Sequence, residues 1–236
     1  SSSSANYSNF HEFVLTMLLL SLYKKLKRFR KMIIFLRHGQ AENNTKKILA
    51  GRTPGINLTE EGKKQAEQAG KMLESLDVSA IYSSPIDRAV QTTEIIKKYC
   101  DVEYKTDDRL IELDMGQFTM MPYQEIFNKH GNVFLKFYSG STEVSENGVE
   151  TFANVKKRIN DMVDFVITKH KNENVVLVTH MDPIKAMIGR VLDLKPEVLF
   201  ELIIANASLS IIKNHDQNFY LTAINAMHPE RFHESF

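Results

Sequence analysis

The chain has 236 residues, 43% of them hydrophobic and 25% charged, which suits one globular domain of ordinary to large size with a sizeable core. Its 30 basic and 29 acidic side chains leave a net charge of +1, so no global field argues for nucleic acid or a membrane as the main partner. A single cysteine, Cys100, excludes an internal disulfide framework and suits a reducing, cytoplasmic location.

The chain opens with a polar, low-complexity stretch, "SSSSANYSNF", followed by an apolar run over residues 13–22 and the basic run "YKKLKRFRK". That apolar run is shorter than the ~20 residues a membrane span needs. Its charges follow it rather than precede it, the wrong order for a secretory signal. Residues 1–31 are therefore expected to form an extension outside the folded domain. The competing reading is a basic amphipathic helix that touches a membrane or a partner.

From Met32 the pattern becomes regular. "MIIFLR" reads as a strand buried on both faces. "LTEEGKKQAEQAGKMLESL" reads as a helix with Thr59 as N-cap, Glu60 and Glu61 in the first turn, and Ala66, Ala69, Met72, Leu73 and Leu76 inward. "SAIYSS" is a second strand. "DRAVQTTEIIKKY" is a helix with Ala89, Thr93, Ile96 and Tyr99 in register, and Cys100 at its end is packing filler. Residues 114–148 read as one short helix between loops. "GVETFANVKKRINDMVDFVITKH" is a long helix whose stripe is Phe152, Val155, Ile159, Met162, Val163 and Val166. "NVVLVTH" is a third buried strand. A helix follows with Pro183 in its first turn and Ile184, Met187, Ile188, Val191 and Leu192 inward. "SLSIIK" and "FYLTAIN" are final strands joined by "NHDQN". Strands alternating with helices predict an α/β, three-layer sandwich, with a mostly parallel central sheet and helices on both faces.

In such sheets sites form beyond the carboxyl ends of the strands. There the sequence places Arg37, His38 and Gly39 after the first strand, Ser83, Ser84 and Arg88 after the second, and Thr179 and His180 after the third. Glu112 follows "RLI". Arginine presents planar paired donors suited to phosphate oxygens. A neutral imidazole can carry a phosphoryl group covalently, and a carboxylic acid can protonate the leaving oxygen. Neither HExxH nor CxxC occurs, so no metal site is expected. His11, His130, His170, His215, His228 and His233 sit in polar or terminal stretches and are expected to be solvated.

At these residues the chain resembles the histidine phosphatase superfamily, the phosphoglycerate mutase-like family. "LRHGQAENN" is similar to its LxRHGxxxxN motif, and "YSSPIDRAVQTTEII" to its S-S-x-x-x-R-A-x-x-T segment. "LIELDMGQF" resembles L-x-E-x-x-x-G. "GRTPGINLTEEGKKQA" resembles a further segment, with Gly55 or Ile56 where aspartate is common. "VLVTHMDPIKAMI" is similar to V-x-H-G-x-x-I-R, but Met181 and Asp182 replace the usual glycines.

The resemblance implies that residues 32–236 form a histidine phosphatase domain. It implies that His38 is the nucleophile, passing through a phosphohistidine, and that Arg37, Arg88 and His180 hold the phosphoryl oxygens. Asn44 would add a donor and Glu112 would be the proton donor. Gln40, Arg52, Thr179 and Met181 are further candidates for substrate binding. The implied partner is a small phosphorylated metabolite, with no nucleic acid and no membrane span; a homodimer is compatible with the sequence.

The same pocket serves a phosphatase or a mutase. The insertion between Glu112 and His180 is shorter than in classical phosphoglycerate mutases and lacks their arginine-rich stretch, offering only Lys136. "ENGVETFANVKKRI" resembles a segment of the smaller phosphatases, with Thr151 near their serine. The reading favours phosphomonoester hydrolysis without metal or cofactor over a mutase primed by 2,3-bisphosphoglycerate. A non-catalytic phosphate-binding module is the remote alternative. Asp182 is expected to narrow the pocket or repel acidic substrates.

Overall fold

The structure, a computed structural model, describes residues 32–215 and 218–231, together with Met17. The extension expected over residues 1–31 therefore lies outside the described residues, Met17 apart, as do His11 and His233. Six strands form one sheet: β1 (Met32–Arg37), β2 (Val78–Ser83), β3 (Tyr104–Thr106), β4 (Asn174–Thr179), β5 (Leu209–His215) and β6 (Asn218–Ala226). Their order is β3-β2-β4-β1-β5-β6. The first four in that order run parallel, β5 pairs antiparallel with β1, and β6 pairs antiparallel with β5 at the edge.

The central strands are apolar throughout because both their faces are covered. Ile33 and Phe35 of β1, with Val175 and Leu177 of β4, pack against the long helices that cover one face, Phe152–Lys169 and Met181–Leu192. Ile34, Leu36, Val176 and Val178 point the other way, onto Glu60–Glu74 and Asp87–Cys100. The alternation of successive side chains thus produces three layers from two continuous apolar runs.

In chain order the helices are α1 (Glu42–Thr45), α2 (Glu60–Glu74), α3 (Asp87–Cys100), α4 (Tyr123–His130), α5 (Val133–Tyr138), α6 (Thr142–Ser145), α7 (Phe152–Lys169), α8 (Met181–Leu192) and α9 (Pro196–Glu201). Thr59 caps α2 by accepting the Gly62 amide at 2.9 Å. The buried stripe of α7 is the one the periodicity predicts.

Several expectations need correction. Residues 114–148 hold three helices, α4 to α6, and a 3-10 turn at Gly116–Phe118, rather than one short helix. Each is too short to display a period. They are held by a second core in which Phe118, Ile126, Phe137 and Val144 meet Phe152 and Val155 of α7. Leu192 is 47% exposed rather than inward; the chain turns through a left-handed Asp193, and Leu194 packs against the core instead. His170 is not solvated, since its Nε2 is bonded to the Tyr82 hydroxyl at 2.9 Å and its Nδ1 to Glu173 at 2.6 Å. Among the described residues no helix is long and apolar enough to cross a membrane.

One close approach fixes the loop after β1. A Cβ on Gly39 would stand 2.3 Å from the Gly62 carbonyl oxygen, and one on Gly62 would stand 1.9 Å from that of Gln40. Only two glycines let this loop lie directly on the first turn of α2.

Candidate active site

Arg37 ends β1 and His38 follows it, Ser84 and Arg88 follow β2, and Thr179 ends β4 with His180 next. Because β2, β4 and β1 are neighbours in the sheet, residues far apart in sequence converge at one carboxyl edge. The His38 and His180 rings stand 5.1 Å apart, edge to face.

Hydrogen bonds assign the proton of His38. Its Nδ1 lies 2.7 Å from the Gly39 carbonyl, which can only accept, so Nδ1 carries the hydrogen. Nε2 keeps its lone pair and receives the Arg88 Nε–H at 3.2 Å. Burial, reinforced by Arg88 and Arg37, holds the His38 imidazole well below its usual range, so the ring is neutral. The His38 carbonyl accepts from the Ala207 amide at 3.0 Å and from Asn206 Nδ2 at 3.1 Å, which locks the backbone of this residue.

The cations are held just as firmly. Arg88, 2% exposed, donates from Nη2 to the Gly51 carbonyl at 2.8 Å. Arg37 Nη1 donates to the Ile204 carbonyl, and burial brings its guanidinium down to about 10, still charged at neutral pH. His180 Nε2 lies 2.8 Å from Ser84 Oγ. That hydroxyl also accepts the Ile86 amide at 3.3 Å; when its own proton is donated to Nε2, the His180 hydrogen sits on Nδ1. His180 too is kept neutral by burial and by Arg88.

Three of these donors end without a protein partner although they are buried: Arg37 Nε, Arg88 Nη1 and His180 Nδ1. Unpaired buried donors are costly. Arg37 and Arg88 line the cavity with His38, and the His180 ring stands 5.1 Å from that of His38 just behind them, so the set can act as a cradle for an anion.

Glu112 lies in the same cavity, which measures about 460 Å³. Its Oε1 accepts the Leu113 amide at 2.8 Å. Burial, and then the charge of Asp182, raise its carboxyl to about 7, which keeps a proton available near neutrality. A brace presents it. Arg158 donates to the carbonyls of Arg109 and Ile111 at 2.9 and 2.6 Å and pairs with Glu150 at 3.0 Å. Arg52 pairs with the same Glu150 at 2.9 Å and donates to the Glu112 carbonyl at 3.0 Å.

The remaining candidates divide. Asn44 and Met181 line the cavity. Asn44 Oδ1 is taken by the Ala41 amide and Asn206, so its amide nitrogen is the free end. Arg52 does not line the cavity; it is part of the brace. Gln40 also lies outside it, with Oε1 accepting the Thr59 hydroxyl at 2.8 Å. Thr179 donates to the Leu110 carbonyl at 2.6 Å and tethers the Glu112 segment to β4. Cys100 is remote, and burial pushes its thiol up to about 11.

The sequence reading missed much of the wall: Lys47, Tyr123, Phe134, Tyr138, Lys185 and Phe200. Tyr138 donates to Asp182 Oδ1 at 2.6 Å. Lys185 is a buried ammonium, lowered to about 8 by burial. A signal for it existed in "PIKAMIG", a lysine inside an otherwise apolar stripe. Among the described residues no group of three or more His, Cys, Asp and Glu side chains is arranged to hold a metal ion.

Known proteins resemble this chain over most of its length. The model of the histidine phosphatase superfamily (branch 1) matches residues 33–227. A 2,3-bisphosphoglycerate-dependent phosphoglycerate mutase of Thermoplasma acidophilum is 35% identical over 77% of this chain and 86% of its own length. Phosphoserine phosphatase 1 of Hydrogenobacter thermophilus is 30% identical over 82% of this chain and 91% of its own. Among solved structures, Bacillus stearothermophilus YhfR superposes with a TM-score of 0.76 at 25% identity, over 84% of this chain and 98% of that one. The Entamoeba histolytica phosphoserine phosphatase in complex with 3-phosphoglyceric acid gives 0.72 at 25% identity, with the same coverage of both chains.

Proposed function

The chain belongs to the histidine phosphatase superfamily, and from that premise we propose that it hydrolyses a small phosphomonoester through a phosphohistidine at His38. The observation that carries this reading is the set of buried, unpaired nitrogens, Arg37 Nε, Arg88 Nη1 and His180 Nδ1, beside a neutral imidazole whose unprotonated Nε2 is held by the Arg88 Nε–H at 3.2 Å. In the first step Nε2 attacks phosphorus and the ester P–O bond breaks. The departing oxygen takes the bonding pair and the proton of Glu112. In the second, water attacks the phosphohistidine, the P–N bond breaks, and the Glu112 carboxylate recovers a proton from the water. The cationic cradle stabilises the charge that grows on the equatorial oxygens in both steps. No metal enters the scheme, and Asn44 Nδ2 serves as an extra donor to the phosphoryl group. The single cysteine supports a cytoplasmic setting.

A second reading is favoured by the similarity to the Thermoplasma enzyme: a phosphoglycerate mutase that needs 2,3-bisphosphoglycerate to charge His38. One experiment separates the two. Phosphate release from p-nitrophenyl phosphate and 3-phosphoglycerate is followed without metal, beside a coupled mutase assay with and without 2,3-bisphosphoglycerate, with His38→Ala as control. Hydrolysis is expected, dependent on His38 and independent of the primer. Isomerisation that requires the primer, with little release of phosphate, would establish the mutase instead.

A further inference from the structure

The cradle accounts for only the floor of the cavity. Much of the rest is walled by three elements: the turn after α1, with Ile48; the α4–α5 hairpin, with Tyr123 and Phe134; and the end of α9 and the run after it, with Phe200, Leu202 and Ile203. Tyr123 and Phe134 are stacked, with ring centroids 5.5 Å apart. Ile203 is 56% exposed although it is a large apolar side chain at the cavity's mouth.

The buried charges on the walls already have protein neighbours. Lys185 is the buried wall cation, but its ammonium stands 5.0 Å from the Tyr138 ring centroid, lies 3.5 Å from the Phe200 carbonyl, and feels the charge of Asp182. Asp182, itself 1% exposed, sets a second carboxylate into the wall beside Glu112. Lys47 is exposed and faces solvent screening. The cavity therefore gathers cationic donors at its floor, carries one buried cation and one carboxylate in its wall, and is otherwise lined mainly by apolar and aromatic side chains, in the size range of pockets that enclose a whole organic ligand.

We propose that the phosphomonoester turned over here carries a large, uncharged, apolar alcohol, an aryl or medium-chain alkyl group, rather than the small acidic alcohol of phosphoserine or phosphoglycerate. The inference rests on the hydrolase reading above. Its phosphate sits on Arg37, Arg88 and His180, and its carbon body lies against Phe134, Phe200 and Ile203.

The test compares kcat/KM for ethyl, butyl and hexyl phosphate, O-phosphoserine and 3-phosphoglycerate. All are esters of alkyl alcohols, so leaving-group chemistry varies little across the series. Burial of each added methylene in an apolar wall should raise kcat/KM about threefold to fourfold. Hexyl phosphate should therefore exceed ethyl phosphate by roughly 100-fold, with the two acids at or below ethyl phosphate. Ile203→Asn, at a position exposed enough to fold normally, and Phe134→Ala should flatten the series, bringing the hexyl-to-ethyl ratio of kcat/KM towards one; a ratio kept at roughly 100-fold in both variants overturns the inference. A flat series, or preference for either acid with phosphate release intact, overturns the inference and leaves the hydrolase reading standing. No His38-dependent release from any ester, p-nitrophenyl phosphate included, overturns both.

Discussion

Replacing Gly62 by alanine puts a methyl group where the structure has no room for one. The added Cβ would stand 1.9 Å from the Gln40 oxygen, while real Cβ atoms essentially never come closer than 3.0 Å, so one backbone must give way by about 1 Å. The carbonyl has little freedom to retreat, because it accepts the Thr59 amide at 2.9 Å and the Thr59 hydroxyl at 3.3 Å. Alanine gains about 1 kcal/mol of helix propensity over glycine. Overpacking against a fixed backbone costs about 3 kcal/mol, which leaves a net loss of about 2 kcal/mol. For a domain of this size that lowers Tm by roughly 4–8 °C. Gln40 is two residues from His38, and a displacement of this size at the nucleophile lowers kcat by about 100-fold. Thermal unfolding by circular dichroism, beside phosphate release, checks both. Gly70→Ala is the comparison: its new Cβ meets the Tyr99 ring at 2.3 Å, and a half-buried side chain can swing aside. If Gly62→Ala melts within about 1 °C of wild type and keeps its activity, the account of the crossing as a rigid backbone contact is wrong.

Glu112, raised to about 7, should make turnover of alkyl phosphates fall as pH rises through that value, since the protonated form is the acid. With p-nitrophenyl phosphate, whose leaving group needs no proton, the decline should be much weaker; equal declines would remove Glu112 from that role. The same carboxyl stabilises the fold fully below its ordinary 4.5 and loses that contribution as pH climbs to about 7, so Glu112→Gln should lose less stability than wild type across the interval in urea titrations. Asp182→Asn removes a charge that raises Glu112, while Arg37, Arg88 and Lys185 remain nearby, so the alkaline limb of kcat/KM should move to lower pH. A limb that stays put or moves upward contradicts that coupling. Arg158→Leu strips the carbonyls of Arg109 and Ile111 of their donor and leaves the half-buried Glu150 with Arg52 alone. It should cost roughly 2 kcal/mol in urea unfolding and lower kcat, with KM for p-nitrophenyl phosphate little changed.

How far the sequence could be read depended on what holds each element. The strands at 32–37 and 174–179 and the stripe from Phe152 to Val166 carry their own signal, because a buried element must be apolar at every inward position. Helices α4, α5 and α6 carry almost none: each buries one to three side chains, and what stabilises it is a core assembled from distant residues. The floor of the site was legible for a related reason. Arg37, His38, Arg88 and His180 follow apolar runs whose ends must meet once the sheet forms. The walls depend on how the segments 47–51, 123–138 and 200–203 close over it, and no local pattern encodes that. Arg52 and Thr179 look like ligands in sequence, yet three carbonyl and carboxylate partners make Arg52 a brace, and one makes Thr179 a tether.

The position of β1 at the middle of the sheet has a consequence for synthesis. Ile33 pairs with Val175 on one side and with Ile212 on the other. During translation β1 therefore emerges long before either neighbour exists, with Ile33 to Leu36 unpaired and wholly apolar. At about 5–20 residues per second, the wait for β5 lasts roughly ten seconds or more. Over that time the strand carrying His38 is an open edge, a natural client for chaperones and a seed for aggregation if they are lacking. Phosphoryl chemistry cannot begin on a partial chain, because the nucleophile's own strand is among the last to be locked in place.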